Sequence, residues 1–166
     1  MNEEQYIRRD RMRFTKNTLS STLVIVAILF NVFYFINLYK SDVGHNVGNF
    51  YYQIRIGASI IYNLVFMLAA FLSSEGVKNY KIGYCWVLIV IGVLQIVRIF
   101  ILPAQAAATE VTIGGTVYRV MENPQHIRVV IYLLVSAACC LAGAVIGIIR
   151  CKELSAHMAE LEKKTA

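Results

Sequence analysis

Apolar residues in this chain gather into four long blocks, at residues 18–39, 52–73, 82–102 and 127–149, with polar residues mostly confined to the stretches between them. A helix rising about 1.5 Å per residue needs about 20 apolar residues to cross about 30 Å of hydrocarbon, and every block reaches that length. The pattern predicts an all-α membrane protein, a bundle of four transmembrane helices. Outside the blocks lie an arm at 1–17, a turn-rich loop around Gly44 and Gly48, a short connection near Gly76, a longer loop at 103–126 and a tail at 150–166. The chain therefore reads as a single tetraspan domain, with no length left for a separate soluble catalytic domain.

One interval breaks the helical pattern. Residues 111–118 read Val-Thr-Ile-Gly-Gly-Thr-Val-Tyr, β-branched and aromatic residues around a Gly-Gly pair. Glycine suits the positive φ angles of a two-residue hairpin turn, so a short β-hairpin is expected between the third and fourth spans. That turn sets Ile113 opposite Thr116, Val111 opposite Tyr118, and Glu110 opposite Arg119 as a cross-strand pair. Val111, Ile113, Gly114, Gly115 and Tyr118 form a candidate docking hairpin, since an exposed strand edge can accept another chain. Asn123-Pro124 then supplies an N-cap and a first-turn proline for the fourth helix.

Charge orients the bundle. Lys and Arg outnumber Asp and Glu 16 to 10, giving +6. They concentrate in the arm (Arg8, Arg9, Arg11, Arg13, Lys16), at Lys78 and Lys81, and in the tail (Arg150, Lys152, Lys163, Lys164). By the positive-inside rule these segments are cytoplasmic, so both termini face the cytoplasm and the hairpin is extracytoplasmic. Basic residues at span ends reflect topology, and no nucleic acid partner is expected. Tyr6, Ile7, Met12 and Phe14 among the arginines suit a short helix lying on the inner membrane surface. In the tail, Leu154, Met158 and Leu161 make an apolar stripe on a helical extension of the last span.

Inside the spans the chemistry is sparse. No Asp or Glu falls within any apolar block, which argues against a proton-coupled carrier, because such carriers rely on a membrane carboxylate. Cys85, Cys139, Cys140 and Cys151 have neither the spacing nor the outer position of a redox pair. His45, His126 and His157 have no ligand spacing, so neither metal nor cofactor is expected. Arginines do stand out: Arg55, Arg98 and Arg128 lie near the outer ends of spans two, three and four. Arg98 is the deepest, with Gln95 one turn further in on the same face.

Arg55 heads a stripe through Ser59 and Asn63, and Arg128 heads one through Tyr132, Ser136 and Cys140. Facing stripes would enclose a positive outer vestibule for an anion, a lipid headgroup or a partner's carboxylates; the alternative is that the arginines snorkel to the headgroups. Asn31, Tyr34 and Asn37 step along span one and suit bonds across helices. In the fourth span Ser136, Cys139, Cys140, Gly143, Ala144 and Gly147 form a small-residue face for close helix packing.

These readings lead to a non-enzymatic integral membrane accessory subunit, packed against and stabilising or regulating a larger membrane complex, most plausibly a transporter. A homo-oligomeric channel or carrier with an arginine-lined anion vestibule is the alternative. Expected partners are other membrane subunits and lipids, with a homo-oligomer allowed. Short loops and the lack of Asn-x-Ser/Thr sequons suggest a bacterial cytoplasmic membrane.

Overall fold

A computed structural model describes residues 3–39, 50–113 and 116–165. It contains five helices and two strands: α1 Glu3–Tyr39, α2 Phe50–Lys78, α3 Ile82–Ile99, α4 Leu102–Ala108, β1 Glu110–Ile113, β2 Thr116–Arg119 and α5 Asn123–Thr165. Among the described residues four stretches of helix are long and apolar enough to cross a membrane: Asn17–Tyr39, Gln53–Lys78, Ile82–Ala108 and Asn123–Glu160. The protein is thus a multi-pass membrane protein. Helix α1 packs on α2 and α5, and α3 packs on α2 and α5, which gives a four-cornered bundle of alternating direction. Span two is the least enclosed, with 22% of its residues buried against 39% for the third and fourth.

The helices differ from the sequence expectation in three places. First, α1 runs unbroken from Glu3 through the first span, so the arm does not turn onto the membrane surface. Nothing between residues 3 and 39 breaks a helix, since the segment holds neither Gly nor Pro. Second, the last span and the tail are one helix of 43 residues, as expected, but Asn123 does not cap it. Its first turn is closed by the Glu122 carbonyl, which accepts from the backbone N–H of His126 at 2.9 Å, while the Asn123 side chain accepts from Arg119 instead of capping.

Third, α3 stops at Ile99, short of residue 102, and a separate helix α4 opens what was read as loop. Pro103 accounts for both. Within a continuous helix its ring would collide with the carbonyl of Ile99 four residues earlier, yet in the first turn of a new helix its missing N–H costs nothing. The alanines that follow it sustain the short helix.

Strands β1 and β2 pair antiparallel with Glu110 opposite Arg119, Val111 opposite Tyr118, Thr112 opposite Val117 and Ile113 opposite Thr116. Gly114 and Gly115, and the loop around Gly44 and Gly48, lie outside the described residues. Just past β2, Val120 and Met121 bury among Tyr34, Leu38, Leu102, Ala106, Val129 and Leu133, which seats the base of the hairpin on one end of the bundle. A two-stranded hairpin alone is marginal in water, so this seat is what holds it.

At the opposite end α2 joins α3 through a tight turn. Tyr80 adopts φ 57°, and the N–H of Lys81 reaches back to the carbonyl of Gly76 at 3.0 Å, closing a left-handed helix cap. Gly76 sits inside α2, where a Cβ would meet the Tyr84 ring; its small size lets α3 press against α2 beside the turn.

Candidate functional site

Two polar layers cross the bundle. The layer near the α2–α3 turn consists of neutral groups. Asn17 donates to the carbonyl of Val77, Ser20 donates to the carbonyl of Gly143 at 2.5 Å, and the hydroxyls of Ser21 and Ser74 meet at 2.8 Å. These bonds tie α1 to α2 and α5. Gly143 and Gly147 make the approach of α5 possible: a Cβ on Gly143 would come within 3.3 Å of the Ser20 carbonyl, and one on Gly147 within 2.8 Å of the Cys85 sulfur. Of the small-residue face, Ser136, Cys140, Gly143, Ala144 and Gly147 are buried and Cys139 is half-buried. The contacts that cover this face come from inside the chain, chiefly from α1 and α3. The four cysteines are free thiols.

The second layer lies nearer the hairpin end and is built around one cation. Gln95 and Arg98, three residues apart on α3, both point into the bundle, and Arg98 is 5% exposed. Its Nη1 donates to the Asn63 side chain on α2 at 2.7 Å and to Asn31 on α1 at 3.4 Å. Its Nη2 donates to the hydroxyl and the carbonyl of Ser59 on α2, at 3.1 and 3.3 Å. The guanidinium carbon lies 4.3 Å from the Tyr34 ring centre and 4.8 Å from that of Tyr62, so two aromatic faces flank the charge. Gln95 donates to Asn31 at 3.0 Å and to Ser136 at 3.4 Å, and Ser136 donates to the Ala27 carbonyl at 2.9 Å. All four spanning helices contribute to this layer.

Arg98 therefore does not snorkel. It turns inward, and among the described residues every group that accepts its protons is neutral. A guanidinium keeps its charge in proteins, and a charge at membrane depth is costly unless paired or solvated by polar groups. No Asp or Glu occurs in residues 43–74 or 76–109, the stretches that carry α2 through Ser74 and all of α3 and α4. The surrounding layer is also incompletely paired: Arg98 Nε, Gln95 Oε1, Asn31 Nδ2 and the hydroxyl of Tyr62 are buried without a hydrogen-bond partner.

Beside the cation a cleft of about 310 Å³ opens between α2 and α3. Ser59, Tyr62 and Arg98 line it, Arg55 stands at it from one helical turn along α2, and Leu94 and Val97 supply apolar wall. Arg55, Leu94 and Val97 are exposed on the outer surface of the bundle, so the cleft faces sideways, toward lipid.

The three arginines do not converge. Arg128 is exposed and donates to the Pro124 carbonyl of its own helix at 3.3 Å, and it does not line the cleft. Its stripe separates as well: Ser136 joins the Gln95 network, while Tyr132 packs against Phe30 and Phe33. Asn37 bonds within α1, to the Phe33 carbonyl at 2.9 Å. At the hairpin, Glu110 and Arg119 form an exposed ion pair at 3.3 Å; the side chains of Val111, Ile113 and Tyr118 lie outside the described ones.

The layer of Asn17, Ser20, Ser21 and Ser74 near the α2–α3 turn was not anticipated, although the Ser-Ser pairs at 20–21 and 73–74, at the start of the first span and the end of the second, carried the signal. Among the described residues no group of three or more His, Cys, Asp or Glu is arranged to hold a metal. No protein-family model, curated protein or solved structure matches the chain.

Proposed function

We propose that this protein is a non-enzymatic subunit of a larger membrane complex, most plausibly a transporter, which it stabilises or regulates by docking. The observation that carries this reading is the length of α1 and α5. Residues 3–16 of α1 and 150–165 of α5 continue as helix past the apolar spans, about 20 Å by helical rise. Because Ser20 meets Gly143 and the helices run antiparallel, the two extensions lie level with each other. Leu154, His157 and Met158 are half-buried along one stripe of the tail, while Glu153, Ser155, Ala156, Ala159 and Glu160 are exposed. A paired helical stalk with Tyr6 and Ile7 standing 49% and 52% exposed offers a rigid surface for another subunit.

The positive-inside asymmetry puts this stalk in the cytoplasm and the hairpin outside, and we assign the protein to a bacterial cytoplasmic membrane on its short loops and missing sequons. The conduit reading receives less support, because Arg128 turns away from the site and Arg98 is tied between α1 and α2. The deciding experiment is affinity purification of tagged protein from native membranes in mild detergent, followed by mass spectrometry. Transporter subunits should co-purify in fixed ratio with the wild type and be lost with Tyr6→Glu/Ile7→Asp, while the variant's own thermal unfolding is unchanged. Elution of the wild type as a lone homo-oligomer overturns the reading.

A further inference from the structure

We infer that the cleft between α2 and α3 is a binding site for an anionic membrane lipid, with the headgroup phosphate at Arg55 and Arg98 and an acyl chain along Leu94 and Val97. The inference does not depend on the docking role of the stalk.

Four observations carry it. The cleft's volume of about 310 Å³ lies at the small end of ligand pockets, room for a phosphate and the first part of a chain, with the rest of the lipid left in the bilayer. Its opening faces the membrane, so a lipid enters without crossing water. Its chemistry is divided as an amphiphile requires: two arginines and a serine at one part, aliphatic side chains over the remainder. Finally, the charge of Arg98 is matched by no carboxylate in residues 50–74 of α2 or in α3, the stretches that form the cleft, so an anion placed there meets an uncompensated positive field in a low-dielectric setting.

The hydrogen bonding is consistent with that role. Ser59 lines the cleft, and its Oγ accepts from Arg98. Arg55, on the same face of α2 one turn away, is exposed and can present its planar fork to the same phosphate. Arg98 then acts through its charge from behind Ser59, since its Nη donors are already directed at Asn63, Asn31 and Ser59. A zwitterionic lipid would bring its own cation against these arginines, so the site should discriminate by net headgroup charge.

The test uses the full-length protein, purified in mild detergent and titrated with phosphatidylglycerol, phosphatidylcholine or inorganic phosphate, read by native mass spectrometry and by the shift in thermal unfolding. Phosphatidylglycerol should bind about tenfold tighter than phosphatidylcholine, and inorganic phosphate should not compete at equal concentration. Arg55→Ala should remove most of that preference. Because Arg98 variants change the core, Ala58→Trp, at an exposed position on the α2 wall, is the second variant; it fills the cleft and should lower phosphatidylglycerol binding about tenfold without moving the unfolding temperature of the lipid-free protein. Equal binding of the two lipids, or a preference that survives both variants, overturns the inference. Full competition by inorganic phosphate overturns it too, as that would make the cleft a site for small anions.

Discussion

The two polar layers of this bundle solve the same problem in opposite ways. In the layer beside the α2–α3 turn, short neutral side chains reach across a helix interface to a backbone carbonyl or another hydroxyl, and glycines on α5 bring the helices close enough for those bonds. In the layer near the hairpin, one long cation collects neutral acceptors from α1 and α2, and several buried polar atoms around it stay unpaired. The first layer works as a fastener. The second holds a charge that has no carboxylate partner among the described residues.

Substitutions that remove the partners of the charge test the contrast most severely. Asn63→Leu strips Arg98 of its shortest hydrogen bond, 2.7 Å, and should destabilise the bundle by about 2–3 kcal/mol in detergent, read as a lowered unfolding temperature. Arg98→Met should cost less than Asn63→Leu, because it removes the charge and leaves neutral groups that can pair with one another. The reverse order would mean that Arg98 is a fastener like the serines. Next in size, Gly147→Ala should cost about 1–3 kcal/mol, since the new Cβ would sit 2.8 Å from Cys85 Sγ and 3.1 Å from Val77 Cγ1.

Within the neutral layer, Ser74→Ala should cost about 0.6 kcal/mol, the usual scale of a hydrogen bond between helices in a membrane, and a double-mutant cycle with Ser21→Ala should return that same small coupling. The smallest effect belongs to the hairpin: Glu110→Gln breaks an ion pair that is half-exposed on both sides and should cost at most about 0.5 kcal/mol, vanishing as salt is raised.

Much of this arrangement was legible in the chain. Long apolar blocks fix helices by length alone, and Gly-Gly between β-branched residues fixes the hairpin register, because both signals are local. The pairing of Gln95 with Arg98 was legible too, as a three-residue step on one helix face. What the sequence left open depends on how helices rotate against each other. Arg55, Arg98 and Arg128 all lie near one end of their spans, Arg98 the deepest, yet that depth does not say that only Arg98 faces the interior; nothing local to Arg128 says that its stripe divides between Gln95 and the phenylalanines of α1. The end of α3 at Ile99 could have been read from Pro103, had the proline been weighed against the carbonyl four residues before it and not only as a loop residue.

The left-handed cap at Tyr80 has a mechanical consequence. It pins α2 to α3 within a few residues at one end, where Gly76 and Tyr84 are already in contact, while the cleft separates the same two helices near the other. The pair is built like calipers, with a fixed pivot at one end and tips held only through the bonds of Arg98 to Ser59 and Asn63. Over the roughly 27 Å of an 18-residue helix, a rotation of about 2° at the pivot moves the tips by about 1 Å. The width of the cleft is therefore an angle, set at Tyr80 and read out at Arg98.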